Sequence, residues 1–341
     1  MMEPFSPRKL LLPLVPVYRL ALLLRELRLG SKLEPVRRLR WPVVSIGNLS
    51  TGGAGKTPLT IALAKALKQR GFHVDVLSRG YGRMSKVPAL VNPDGSAEEF
   101  GDEPLLIARE ARVPVYVAAQ RFEAGLLGEA DAPHGDTDGQ PVAVHLLDDG
   151  FQHRQLVRDV DILLLNGCDW RDSLLPAGNL REPLNAIRRA GVIAVPADEP
   201  ELEAELRTWG WKGPVWRLHR SMEVPAVDGP VAAFCGIARP GQFFDGLEAA
   251  GLRLASRVAF RDHHSYTVGD VERLTVAAHA AEATALITTE KDLVRLGRLA
   301  AAFPESLALK TARLTAEIEN ESVAIDWLAG RLARGRPRPS L

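Results

Sequence analysis

The chain of 341 residues carries only two cysteines, Cys168 and Cys235. Two thiols beside strand-like apolar runs make no disulfide framework, and a reducing compartment suits them best. No segment reaches the roughly 20 uninterrupted apolar residues of a membrane-spanning helix. The nearest stretch, "KLLLPLVPVYRLALLLRELRLG" at 9–30, is interrupted by Pro13, Pro16, Arg19 and Arg25. It lacks a following small-residue cleavage site, which argues against a signal peptide. Net charge is close to nil, at +1. That excludes the whole protein as a polyanion binder, and no nucleic-acid partner is expected. No internal repeat or low-complexity block stands out.

Charge is nevertheless uneven. Between Arg8 and Arg40 nine basic residues face only Glu26 and Glu34. Helical spacing puts Leu20, Leu23, Leu24 and Leu27 on one side of the segment, with Arg19 and Arg25 among the other positions. Arginines flanking a leucine face suit a helix lying at an anionic membrane surface. The same pattern suits a helix docked on the protein's own core, and the residues alone leave both open.

From residue 42 short apolar runs alternate with helical stretches. Strands are expected at 42–49, 73–80, 113–119, 141–150, 160–167 and 191–197, with a helix in "PLTIALAKALKQRG". A glycine-rich stretch at 128–140 reads as a surface loop. "VWRLHRSMEVPAV" reads as a hairpin or crossing between domains. A second series follows, with strands at 231–238, 252–260, 283–292 and 306–314 and helices near 241–250 and 269–281. The pattern predicts an α/β protein, a mostly parallel sheet with helices on both faces joined to a second, smaller α/β domain. The expected boundaries are a basic helical segment over 1–40, a first domain over 41–215, a second over 216–330 and a disordered tail over 331–341.

Chemistry is concentrated at strand ends. "STGGAGKT", Ser50, Thr51, Gly52, Gly53, Ala54, Gly55, Lys56 and Thr57, follows a strand and opens a helix. The usual phosphate-binding loop begins with glycine, and here Ser50 takes that place. The glycines let backbone N–H groups converge on phosphate oxygens, the helix start favours the same anion, Lys56 can reach the outer phosphates and Thr57 can ligate Mg²⁺. This is a site for ATP with magnesium. "AVHLLDDG" adds Asp148 and Asp149 at another strand end, where a second acidic group for the metal is needed. "GDEP" supplies Asp102 and Glu103 at a helix start, candidates to orient or deprotonate an acceptor and equally ordinary helix-start residues. "SRGYGR" offers Arg79 and Arg83. "FRDHHSYT" offers His263 and His264 for proton handling beside a carboxylate, and "TTEKD" places Glu290 and Lys291 towards the cleft.

Together, "SIGNLSTGGAGKTP", "SRGYGR", "GDEP", "LLDDGFQHRQLVRDVDILLLN", "LLPAGNLREP", "FCGIARPGQFF", "DHHSYT" and "ITTEKDLVRL" make the chain resemble the tetraacyldisaccharide 4'-kinases of lipid A biosynthesis over roughly residues 10–325. The resemblance implies ATP-dependent phosphorylation of the 4'-hydroxyl of a tetraacylated glucosamine disaccharide 1-phosphate, giving lipid IVA. It implies a P-loop fold and a monomer at the cytoplasmic face of the bacterial inner membrane. It carries the acceptor-activating role to Asp102, its supporting histidine to His263 before His264, and the metal to Thr57, Asp148 and Asp149, with Glu103 beside them. It also turns the N-terminal segment towards membrane attachment. Arg79, Arg83 and Arg154 are the expected contacts to substrate phosphate or sugar. The rival function is a membrane-associated P-loop switch acting on a protein partner, which has no need for "GDEP" and "DHH" to meet; a third is a soluble nucleotide-binding protein whose N-terminal helix is core.

Overall fold

A computed structural model describes residues 7–31, 35–53, 55–132 and 142–335 of the chain. A 3-10 helix (Pro7–Leu14) leads into α1 (Val15–Gly30). The first half of the fold then runs through β1 (Val43–Asn48), α2 (Lys56–Gln69), β2 (His73–Ser78), β3 (Ala89–Leu90), α3 (Ala97–Phe100), α4 (Asp102–Ala111), β4 (Val115–Val117) and α5 (Arg121–Asp131). It continues with β5 (Ala143–Asp148), β6 (Val160–Leu164), α6 (Gly167–Trp170), β7 (Val192–Pro196), α7 (Pro200–Thr208) and β8 (Val215–Glu223). The second half comprises β9 (Val231–Cys235), α8 (Pro240–Ala249), β10 (Leu254–Ala259), α9 (Val268–Ala280), β11 (Ala285–Thr289), α10 (Glu290–Leu296), β12 (Ala308–Ile318) and α11 (Glu321–Gly335). Every apolar run read as a strand contains one.

The described strands join in a single sheet of order β10-β9-β11-β12-β8-β7-β6-β1-β5-β2-β4-β3. Its pairings are parallel except at β3–β4 and β8–β12. The central strands β1 and β5 are buried along their whole length, as strands covered on both faces must be. Helix α2 presents Leu59, Leu63, Ala66 and Leu67 to them at helical spacing, all buried.

The stretch expected as a hairpin or crossing is instead one nine-residue strand, β8. It buries Trp216 and Leu218 while the residues between and beyond them are wetter, the alternation of an antiparallel strand with one solvated face. Its partner, β12, serves both halves. Ala308–Ala312 run parallel to β11, and Arg313–Ile318 run antiparallel to β8.

Helix α11 returns to the first half, where Ile325, Leu328 and Leu332 are buried in the same core cluster as α2. Residues 331–335, expected as tail, therefore remain helical; 336–341 lie outside the described residues. Within the stretch read as a surface loop, α5 persists to Asp131, and 133–141 also lie outside the described residues.

Both readings of the N-terminal helix find support on different faces. Val15, Tyr18 and Leu22 pack on a core cluster containing Phe151 and Leu180. Val17, Leu20, Leu23, Leu24 and Leu27 are half or more exposed. Among the described residues no helix is long and apolar enough to cross a membrane.

Candidate active site

The glycine-rich loop leaves β1 and enters α2. Gly52, Gly53 and Gly55 take positive φ values of 83°, 25° and 83°, backbone that a β-carbon resists. Gly55 caps α2 with no side chain, so the first N–H groups of the helix stay directed at whatever anion the loop receives. Ser50 is fully buried, and its hydroxyl accepts from Asn48 Nδ2 at 2.9 Å. The departure from glycine is thus a hydrogen-bonded anchor where the chain leaves the sheet. Thr51 N–H donates to the Asn179 carbonyl at 2.8 Å, and Thr57 is buried. Lys56 Nζ lies 3.0 Å from Asn48 Oδ1 and 3.5 Å from Asp149 Oδ1. Ala54 falls outside the described residues.

The loops after β1, β2 and β5 open on the same edge, because these strands are parallel neighbours. That edge is where open α/β sheets bind ligands. Asp148, the last residue of β5, is buried, and its Oδ1 has no hydrogen-bond partner. Burial, then the negative charges of Glu103 and Asp149, push its carboxyl up to about 7. Asp149, at φ 48°, behaves oppositely. Burial would raise it, but Lys56 and Arg181 hold it well below the usual carboxylate range. Arg181 Nη2 donates to Asp149 Oδ1 at 3.0 Å and to Asn48 Oδ1 at 2.7 Å.

Asp102 is the first residue of α4 and is buried. Gly101 before it has φ 90°, and a β-carbon there would come within 2.9 Å of the Tyr81 carbonyl. The "GDEP" turn is thereby seated against the "SRGYGR" loop. Opposite lies the second half of the fold. Arg295 Nε of α10 donates to Asp102 Oδ2 at 2.8 Å, and His263 Nδ1 stands 3.2 Å from the same oxygen. Burial alone would raise the Asp102 carboxyl, but the His263 hydrogen bond and the Arg295 and Lys291 charges hold it well below the usual carboxylate range. The bond to Asp102 in turn raises His263. Glu103 receives Lys291 Nζ at 2.5 Å, and both charges act on Asp148. The "GDEP" corner and the phosphate loop therefore share one electrostatic site.

The two adjacent histidines diverge. His263 adopts left-handed backbone at φ 57°, faces Asp102, and packs its ring 4.9 Å from that of Tyr81. His264 stacks on Phe260 and bonds Asp270, which completes the N-terminal capping box of α9. Glu290 pairs with Arg313 away from this corner. Of the expected substrate contacts, Arg79 lies within electrostatic reach of His153 and Arg121. Arg83 folds back to the Val87 carbonyl at 2.9 Å, and Arg154 pairs with Glu26 of α1.

Sequence reasoning passed over Arg295, Arg181, Asn48 and Arg121. The spacing of Lys291 and Arg295, i and i+4 on one helix, is a signal that could have exposed Arg295 as a second cation on the cleft face. Arg121 opens α5, and its Nε is buried without a partner. The charges of Asp148 and Asp149 both reach its guanidinium, but nothing local in the sequence distinguishes it.

Helix α1 closes this side of the site. Tyr18 Oη donates to the Arg181 carbonyl at 3.0 Å, and Arg25 donates to the Gln152 carbonyl. Gln152 Nε2 in turn donates to the Asn48 carbonyl at 2.9 Å. A helix that could have been an appendage is bonded to the residues that carry the phosphate loop.

Comparison with known proteins assigns the family. The family model described as tetraacyldisaccharide-1-P 4'-kinase matches residues 7–333. A tetraacyldisaccharide 4'-kinase of Koribacter versatilis is 41% identical over 326 residues, covering 92% of this chain and 96% of the relative. One from Rhodopseudomonas palustris is 35% identical, covering 97% and 95%. A crystal structure of LpxK from Aquifex aeolicus in complex with ATP superposes with a TM-score of 0.73 at 32% identity, covering 96% of this chain and all of that one. With matches spanning nearly its whole length, the chain belongs to the tetraacyldisaccharide-1-P 4'-kinase family.

Proposed function

We propose that this chain binds ATP with Mg²⁺ at Ser50–Thr57 and transfers the γ-phosphate to the 4'-hydroxyl of a tetraacylated glucosamine disaccharide 1-phosphate, producing lipid IVA. The observation that carries this reading is the meeting of Asp102 and His263, 3.2 Å apart, beside the carboxylates next to the phosphate loop. A switch that only hydrolyses nucleotide has no use for such a pair aimed at an acceptor.

The residues present fit a divalent cation. Among the described residues no three acidic or histidine side chains form a ready-made metal cluster, but Asp148 has a buried oxygen with nothing to bond and feels the charges of Glu103 and Asp149. Asp149 is committed to Lys56 and Arg181, and Glu103 to Lys291. Asp148 and Thr57 are therefore the direct ligands in this reading, with Asp149 and Glu103 supporting. When bound, magnesium supplies neutralisation of phosphate charge. Lys56 holds the transferring phosphate. Asp102 receives the hydrogen bond of the sugar hydroxyl and takes its proton as the new O–P bond forms and the bond to ADP breaks. Its strongly acidic character suits a loose transition state, in which the acceptor needs orientation more than early deprotonation. His263 and Arg295 fix which carboxylate oxygen faces the acceptor. Arg79, Arg83 and Arg154 are assigned to substrate phosphate or sugar.

The exposed leucines of α1 and their flanking arginines are read as a peripheral attachment to the cytoplasmic face of the inner membrane. An acylated acceptor leaves the bilayer at a cost of about 0.8 kcal/mol per CH₂, so a monomeric enzyme must go to it. The two halves of the fold, 41–215 and 216–330, are read as domains bordering the cleft. Incubation with γ-labelled ATP and the disaccharide lipid in detergent tests the reading. Label on the lipid is expected; label in free phosphate alone supports the switch.

A further inference from the structure

Two arginines from outside the phosphate-loop segment lie on it, Arg220 of β8 and Arg239 at the start of α8. A β-carbon placed on Gly55 would stand 3.3 Å from both Cζ and Nε of Arg220, a residue of β8. One placed on Gly53 would stand 3.3 Å from Cδ of Arg239, the residue that caps α8. One on Gly52 would meet Ala238 Cβ at 3.0 Å. The glycines thus permit a close approach of guanidinium stems to the loop, besides allowing its backbone conformation.

Charges of both signs surround the loop. Lys56, Arg220 and Arg239 all act on Asp169 or on one another. Asp169 is buried, receives the Ser50 hydroxyl and keeps Oδ2 without a partner. Asp198 and Glu199 also lie within electrostatic reach of Arg220. Asp198 is exposed, and Glu199 accepts the Gly167 amide. Lys56, Arg220 and Arg239 therefore converge on the buried Asp169 beside the loop, with Asp172, Asp198 and Glu199 as further acids around them. Guanidinium groups this close to the loop glycines are placed to meet the charge of an incoming polyanion.

We propose that Arg220 and Arg239 are phosphate-contacting residues for the nucleotide, Arg239 over the terminal phosphate end of the loop and Arg220 over the inner phosphates next to α2. This rests on the reading of residues 50–57 as the ATP site.

The test titrates MgATP and MgADP into the full-length wild type, Arg239→Gln and Arg220→Gln, with thermal melting in parallel. Arg239→Gln is expected to weaken MgATP about tenfold or more, the loss of one charge-assisted hydrogen bond, while MgADP changes less than threefold. Arg220→Gln is expected to weaken both nucleotides. Affinities and KM for ATP within twofold of wild type in folded variants would overturn the proposal. Should a glutamine variant melt early, its lysine counterpart carries the test: partial recovery of the affinity lost by glutamine supports phosphate contact, and wild-type affinity with a normal melt opposes it. The outcome separates from that of the kinase reading. Wild type that binds MgATP without labelling lipid refutes the kinase and leaves the arginine result standing. Variants that label lipid with unchanged KM for ATP refute only the arginines.

Discussion

Arg295 and Asp102 are joined across the two halves of the fold, Nε to Oδ2 at 2.8 Å, with both side chains nearly excluded from water. Removing one member of such a pair strands the other. Arg295→Met is expected to cost about 3–5 kcal/mol of stability, seen as a lower melting temperature. It also withdraws one of the positive charges that hold Asp102 acidic, so the Asp102 pKa rises. The acidic limb of kcat/KM should then move to higher pH. An unshifted limb in a folded variant would detach Arg295 from the acceptor site.

Asp102→Ala should lower kcat by about 10²–10⁴-fold, the range for a lost general base, while MgATP affinity stays within about twofold. Near-wild-type turnover would remove Asp102 from the mechanism.

The histidine pair offers an internal control. His263→Ala is expected to reduce kcat with little change in melting, since the ring's polar partners are Asp102 and Arg295 at the site and the half-exposed Asp262. His264→Ala should do the reverse, because its ring supports the α9 cap through Asp270. Equal kinetic losses from both would contradict the divergent geometry.

Asp148→Asn should raise the Mg²⁺ concentration needed for half-maximal velocity by about tenfold or more, at least what losing a supporting partner of a metal ligand costs. The melting temperature should hold or rise, because an uncharged amide no longer has to be buried beside Glu103 and Asp149.

Three residues before Asp148 on β5, His145 is buried between Asp75, 2.6 Å from its Nδ1, and Glu129. Burial would lower its pKa, but the two carboxylates raise it from 6.5 to about 9. A raised histidine stabilises the fold fully below its unfolded pKa, and that contribution is lost as pH rises through the folded one. Wild type should lose roughly 3 kcal/mol between pH 6.5 and 9.5 from this source; His145→Gln should show a flatter melting profile over the same window. Parallel profiles would rule the pair out as the cause.

Much of this was legible in the residues. Buried parallel strands advertise themselves as unbroken apolar runs, and a phosphate loop must carry glycine, lysine and threonine in fixed order. The identity of the strand-end acids followed from that grammar. Arg295 had a faint signal in its i, i+4 spacing from Lys291, but Arg121 was illegible because a single arginine at a helix start has no local signature; its partner is chosen by tertiary packing. The pairing of β8 with β12 was hidden for the same reason, since its register joins residues about a hundred positions apart. The two histidines could be ranked only by resemblance. A left-handed turn at His263 is what aims them in different directions.

Strand β12 has a mechanical consequence. Its first five residues are stitched to β11 and its last six to β8, so beside the irregular 224–230 segment the two halves are joined by one continuous hydrogen-bonded strand. Relative motion between the halves has to deform that ribbon as well as the loop beside it. A glycine inserted where β12 changes partners would then loosen the enzyme's gearing without touching any residue that meets the substrate.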